Sequence, residues 1–112
     1  MKRVLFVCGR NRLRSPTAER VFSSYPDVEV ASAGVNPDAE ERVSAELITW
    51  ADLIFVMEKS QRSKMTKRFR PVLKNKQIVC LDIPDEYDYM DPELVRVLQR
   101  KVLPFLPRRI NG

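Results

Sequence analysis

The sequence contains no histidine. Ser-His-Asp and Cys-His catalysis, in which an imidazole takes the nucleophile's proton, are thereby excluded as usually built. Cysteine is almost as scarce. The chain has 2, too few for a disulfide framework and, without imidazoles beside them, too few for an ordinary zinc site. Cys8 stands in a Gly/Arg-rich turn and Cys80 closes an apolar run, which suits reducing surroundings. Long apolar runs are lacking as well. The run near the start, Val4 to Cys8, is much shorter than the apolar region of a signal peptide or a membrane span, so the sequence reads as cytoplasmic with no membrane partner.

What is present describes an ordinary globular protein. At 112 residues, 44% hydrophobic and 31% charged, the chain has room for one domain, 1–112, around a single modest core. The net charge of +5 is unevenly spread. Lys59, Arg62, Lys64, Lys67, Arg68, Arg70, Lys74 and Lys76 follow one another with no intervening acid, and Asp82, Asp85, Glu86, Asp88, Asp91 and Glu93 follow with no intervening base. The basic block suits the solvated face of a helix and its following turn. It is also a surface that attracts polyanionic partners, nucleic acid or phosphorylated protein. Phe69 is the only aromatic among these bases, which argues against a stacking platform for single strands.

Arg3 to Cys8 is a continuous branched run ending at Gly9, the signature of a strand buried on both faces of a parallel sheet. Ser15 and Pro16 supply an N-cap and a first-turn proline for a helix to about Ser24, with Ala18, Val21, Phe22 and Tyr25 at helical spacing. Val28 to Ser32 reads as a second strand closed by Ala33-Gly34, and Asn36-Pro37-Asp38 as a turn. Glu40 to Trp50 carries a buried stripe of Val43, Leu47, Ile48 and Trp50, and Asp52 to Met57 is a third strand. Ser60 to Phe69 predicts a basic helix with Met65 and Phe69 inward, Gln77 to Leu81 a fourth strand, and Pro92 to Leu103 a closing helix capped by Asp91. Alternating strands and helices predict a doubly wound α/β domain, whose ligands bind outside the carboxyl ends of the strands. The Cys8 to Ser15 loop lies at that place.

The loop reads C-G-R-N-R-L-R-S-P. Wrapped around a helix start, a loop of this length turns backbone N–H groups inward and makes an anion cradle reinforced by the helix dipole. Cys8 at its base, with the Ser15 hydroxyl near, is favoured as the thiolate, a nucleophile that needs no histidine. Arg14 adds a planar fork matched to two phosphate oxygens, and the match is tightest in the flattened transition state.

This Cys-x5-Arg-Ser element resembles the phosphate loop of the low-molecular-weight protein tyrosine phosphatases. As in that family, it ends the first strand at the N-terminus and runs into Ser-Pro-Thr-Ala-Glu, and Asn11 matches the residue that holds the loop's shape. The similarity continues through Ser32-Ala33-Gly34 and Ala51 to Met57 into the acidic loop. It implies a three-layer α/β/α fold with a four-stranded parallel sheet (phosphotyrosine phosphatase I-like). The implied reaction is hydrolysis of a phosphorylated protein or small phosphomonoester through a phosphocysteine on Cys8, with no metal and no cofactor.

Of the family's features, the late-loop aspartate that protonates the leaving group matches Asp85, which follows Ile83-Pro84 shortly after the fourth strand. Asp91-Pro92 has the family's dipeptide but is explained by helix capping. The resemblance therefore implies Cys8, Arg14 and Asp85 as catalytic residues. It implies Gly9, Arg10, Asn11, Arg12, Leu13, Ser15 and, as an aromatic wall, Tyr87 as substrate-binding residues. No EF-hand spacing supports calcium at the acidic loop.

The chain also departs from the family. The segment after Gly34 is curtailed, Gly9 and Arg12 replace apolar residues that pack on a phosphotyrosine ring, and Leu13 replaces a second cysteine that protects the first. Cys80 is expected to be a buried structural thiol on a strand not adjacent to the first. With Arg10 and the Lys59 to Lys76 block, these changes point to a substrate more anionic than a simple phosphotyrosine side chain. Two other readings stand beside hydrolysis: an arsenate reductase using the same loop with an external thiol, and a catalytically weak phosphate- or nucleic-acid-binding module. The sequence leaves the oligomeric state open.

Overall fold

A computed structural model describes residues 1–107. The N-terminal apolar run forms β1 (Lys2–Cys8), buried from Val4 onward because it is an interior strand. It pairs in parallel with β2 (Val28–Gly34) on one side and β3 (Leu53–Val56) on the other, and β4 (Gln77–Cys80) extends the sheet to the order β2-β1-β3-β4. Between and after the strands come α1 (Arg14–Phe22), α2 (Ala45–Trp50), α3 (Lys59–Leu73) and α4 (Pro92–Val102).

Alternation along β1 divides the core into two layers. Val4, Phe6 and Cys8 pack with Phe22 of α1 and Leu94 and Leu98 of α4. Leu5 and Val7 face Ile48 of α2 and Met65 of α3 across the other side. Phe6 stacks between Phe22 and Phe55, with ring centroids 5.6 and 5.3 Å apart. This is the doubly wound α/β domain that the alternating pattern predicts, in the three-layer form with a four-stranded parallel sheet that the resemblance implies.

The register brings the last residues of all four strands to one edge: Cys8 opposite Gly34, and Val56 between Val7 and Cys80. The chain leaves β1 toward β2 and later returns on the far side of β1 to form β3. The switch point therefore lies between β1 and β3, where a doubly wound sheet opens a crevice for ligands.

Three local differences from the sequence expectations have physical causes. Helix α1 begins at Arg14 rather than Pro16, its N-cap position is Leu13, and Ser15 lies inside the first turn. There Pro16 still removes only an N–H that has no partner within the helix, while the Ser15 hydroxyl serves Cys8 and Asn11 instead of a cap. Helix α2 is confined to Ala45–Trp50 behind the Ser44 cap, because Glu41 and Val43 bond the backbone of Gly34. Helix α3 runs past Phe69 to Leu73 but breaks its helical geometry at Phe69 (φ −125°, ψ 26°), two residues before Pro71, whose ring and missing N–H disturb the turn before it.

Candidate active site

The loop between β1 and α1 is held from outside by the segment that follows β2. Val35 N–H donates to the Cys8 carbonyl (3.0 Å), Asn36 N–H to that of Gly9 (2.9 Å) and Glu40 N–H to that of Arg10 (3.0 Å). With three successive carbonyls bonded outward, the loop is left to present amides to its hollow, which is what an anion cradle requires. Asn11 makes the reversal of direction at φ 58°, a left-handed conformation that asparagine tolerates better than most residues. Gly34 is needed for close approach: a Cβ there would collide with the Gly9 carbonyl oxygen and the Ala39 side chain.

Cys8 is 3% exposed at the base of this loop. Its Sγ accepts a hydrogen bond from Asn11 N–H (3.2 Å) and lies 2.9 Å from Ser15 Oγ. Ser15 Oγ also stands 2.9 Å from Asn11 Oδ1, and a hydroxyl has one proton to donate. Toward a neutral thiol it can donate to Asn11 and accept from Cys8; toward a thiolate it can turn the proton to sulfur. Among the described residues no buried side-chain nitrogen or oxygen lacks a partner in this arrangement.

Arg14, 5% exposed, is fixed by contacts far away in sequence. Its Nη1 donates to the Ile83 carbonyl (2.7 Å) and lies 3.3 Å from Glu58 Oε2, while Nε stands 3.8 Å from Asp85 Oδ1. The loop after β4 that brings Asp85 there is anchored by Ile83, fully buried, whose N–H donates to the Met57 carbonyl (2.9 Å). Lys101 of α4 adds a bond to the Leu81 carbonyl (2.6 Å).

These groups open into one cleft of about 550 Å³ lined by Cys8, Gly9, Arg10, Arg12, Leu13 and Arg14 from the loop. Val35 and Asn36 line it after β2, Glu58, Ser60, Gln61 and Lys64 at the start of α3, and Asp85 after β4. Asn11 and Ser15 lie buried beneath rather than in the lining. Tyr87 falls elsewhere: it is half-buried against the apolar layer of α1 and α4 and does not line the cleft. Of the other acidic-loop residues, Asp91 caps α4 through Glu93 N–H (2.9 Å), Asp82 faces Cys80 Sγ (3.4 Å), and neither they nor Asp88 line the cleft.

Sequence reasoning missed the α3 contribution. Glu58, Gln61 and Lys64 follow the carboxyl end of β3, so the rule that doubly wound sheets bind at strand ends was the available signal. Glu58 and Gln61 form a reciprocal capping box, and Gln61 Oε1 takes both Met57 N–H and Glu58 N–H (2.9 Å each).

Two further corrections concern charge and cysteine. Arg10 and Arg12 are compensated rather than free, Arg10 standing 3.5 Å from Asp38 and Arg12 3.4 Å from Glu40. Cys80 is half-buried rather than buried, and burial pushes its thiol above the ordinary range despite the Asp82 backbone N–H. It packs in the α2/α3 layer, whereas Cys8 packs in the α1/α4 layer, so the sheet stands between the two sulfurs.

A parallel α/β domain that delivers a buried cysteine to the base of a loop, with arginine and aspartate facing the same cleft, has the arrangement that cysteine-based chemistry on an oxyanion requires. Comparison with known proteins narrows the class. Residues 3–49 match the family model described as low molecular weight phosphotyrosine protein phosphatase. The probable low molecular weight protein-tyrosine-phosphatase EpsP of Ralstonia nicotianae is 28% identical, with 96% of each chain covered. Among solved structures, Vibrio vulnificus Wzb in complex with benzylphosphonate is 25% identical with a TM-score of 0.69, covering 88% of this chain and 90% of its own. The YwlE arginine phosphatase from Geobacillus stearothermophilus shares the fold at a TM-score of 0.75 and 23% identity, with 94% and 93% of the two chains covered. The chain is thus similar to the low molecular weight phosphotyrosine protein phosphatases, over residues 3–49 by the family model and along nearly its whole length by the EpsP relative, and the comparisons support a cysteine-dependent hydrolase.

Proposed function

We propose that this phosphatase hydrolyses phosphomonoesters, on proteins or small molecules, with Cys8 as nucleophile, Arg14 as the transition-state clamp and Asp85 as general acid and base. The observation that carries the reading is the convergence of three groups on one cleft: a sulfur accepting a loop amide, a buried guanidinium and a carboxylate 3.8 Å from that guanidinium. In the first step the Cys8 thiolate attacks phosphorus, the P–O bond to the leaving group breaks, and Asp85 gives its proton to the departing oxygen. In the second, water attacks the phosphocysteine, Asp85 accepts the water's proton, and the P–S bond breaks to release phosphate and restore the thiolate. Neither step calls for a metal. Turnover of a generic aryl phosphate that is indifferent to chelator is the expected result, and loss of that turnover on chelation would count against the scheme.

The acid assignment has its own measurement. Asp85→Asn is expected to slow hydrolysis by on the order of 10²-fold for alkyl-like leaving groups of high pKa and much less for activated aryl phosphates, which leave without a proton. A Brønsted plot across leaving groups reads this directly. A steeper dependence in Asp82→Asn, Asp88→Asn or Asp91→Asn would move the role to that carboxylate.

Arsenate reduction is not favoured, since the only other cysteine, whose thiol burial pushes above the ordinary range, lies across the sheet from Cys8. The same separation governs oxidation. With Leu13 rather than a second cysteine in the loop and Cys80 on the far layer, peroxide is expected to carry Cys8 past sulfenic acid, with reductant restoring activity only early in the exposure. Mass spectrometry of the oxidised protein checks this. A stoichiometric Cys8–Cys80 disulfide with full recovery would contradict it.

A further inference from the structure

The basic block of α3 does not act as one surface. Among the described residues, Arg10 and Arg12 at the loop rim are neutralised by Asp38 and Glu40, whereas Arg42, Lys64, Lys67 and Arg68 take part in no ion pair. Those four cations surround a groove of about 360 Å³ between α3 and the segment after β2, floored by Val35 and Pro37. The groove is continuous with the catalytic cleft, because Val35 and Lys64 line both. Two of its cations are also held in place: Lys64 Nζ donates to Asn36 Oδ1 (3.1 Å), and Arg68 donates to the Val35 carbonyl (3.1 Å) while lying over the Phe69 ring.

We infer that this groove receives acidic residues flanking the phosphorylated residue of a protein substrate, an inference that rests on the phosphatase reading of the cleft. Uncompensated positive charge at the edge of an active site raises the local concentration of anionic partners and is relieved by them. The floor selects among anions. Val35 and Pro37 offer apolar contact to an extended peptide backbone and its side-chain stems, and no aromatic residue lines the groove to stack a nucleobase. A chain whose phosphorylated residue occupies the cleft passes over Val35 and reaches the four cations within a few residues, each extended residue covering about 3.3 Å. Specificity is thereby shifted from the rim arginines to α3.

The test uses fluorescently labelled phosphotyrosine peptides, one with acidic and one with neutral flanks. Binding is measured by anisotropy to the Cys8→Ser protein, with and without Arg42→Glu and Lys67→Glu. The acidic peptide is expected to bind about tenfold more tightly at low salt, to lose that advantage near 1 M salt, and to lose it in the charge-reversed protein, while the neutral peptide is unaffected. Circular dichroism and turnover of a small aryl phosphate by the Arg42→Glu/Lys67→Glu protein with Cys8 intact establish that the cleft survives. Wild-type protein inert toward aryl phosphate would overturn the phosphatase reading, whereas the peptide affinities judge the groove separately. Equal affinity for the two peptides, or a preference that persists after charge reversal, would overturn the inference. It would also be overturned by an oligonucleotide outcompeting the acidic peptide at the groove, or by a self-association in ultracentrifugation that charge reversal abolishes, which would assign the groove to the acidic Asp82 to Glu93 loop of a second copy.

Discussion

Cys8→Ser is expected to abolish turnover while leaving a folded protein that still binds phosphate or vanadate. The sulfur is 3% exposed and accepts from Asn11 N–H, and the hollow in which it sits is shaped by backbone bonds from Val35, Asn36 and Glu40 that do not involve the side chain. Oxygen is close to sulfur in shape, so the loop and its amides persist. Chemistry does not, because a hydroxyl needs a base to become a nucleophile at neutral pH, and the chain contains no histidine to act as one. Ser15 offers only a second hydroxyl, and Asp85 is committed to the leaving-group side of the cleft in the proposed reaction. Titration calorimetry with phosphate, beside steady-state turnover of an aryl phosphate, separates binding from reaction. Wild-type turnover in Cys8→Ser would exclude a phosphocysteine route, and loss of phosphate binding in a folded variant would show that the cradle depends on the sulfur.

The parts of this site that could be read from the sequence are those that are contiguous in it. A buried branched run ending in Cys8, a short loop and a helix beginning near Arg14 state their own arrangement, because strand and helix periodicities fix which end of each faces the loop. The same periodicity made α3 basic outside and apolar at Met65. What could not be read depends on which strands are neighbours. Glu58 and Lys64 enter the cleft only because β3 lies beside β1, and Asp38 and Glu40 reach Arg10 and Arg12 only because the segment after β2 is strapped to the loop. Charge counted along the chain made those arginines appear free, whereas pairing across elements neutralises them. Ser15 illustrates a competition: the residue type and the following proline fit a helix cap, yet Ser15 lies buried inside the first turn, where the Cys8 sulfur and the Asn11 side chain take its hydroxyl. Tyr87 has enough apolar surface to be drawn onto the core, which removes it from the cleft it was expected to border.

Arg14→Lys is expected to cost about 10²–10³-fold in kcat while changing KM for a small aryl phosphate much less. Arg14 is 5% exposed, and its guanidinium is already oriented by the Ile83 carbonyl at 2.7 Å and by Glu58 at 3.3 Å. Those contacts occupy Nη1 and fix the plane of the fork, leaving the remaining donors free to meet a phosphoryl group above Cys8. Lysine keeps the charge, so long-range attraction of a phosphate dianion survives and ground-state binding is largely retained. It cannot keep the plane. An ammonium on a flexible stem satisfies the Ile83 carbonyl or the phosphate but does not bridge two equatorial oxygens as they spread toward the trigonal transition state. It also releases Asp85 from the neighbour that stands 3.8 Å away, so part of the loss falls on the proton transfer. Steady-state kinetics with an activated aryl phosphate isolates the clamp, since that substrate needs little help from the acid. A kcat within threefold of wild type would mean that charge alone is enough and that the planar fork of Arg14 has no special role in the reaction. A rise in KM at unchanged kcat would place Arg14 in ground-state binding rather than in the transition state.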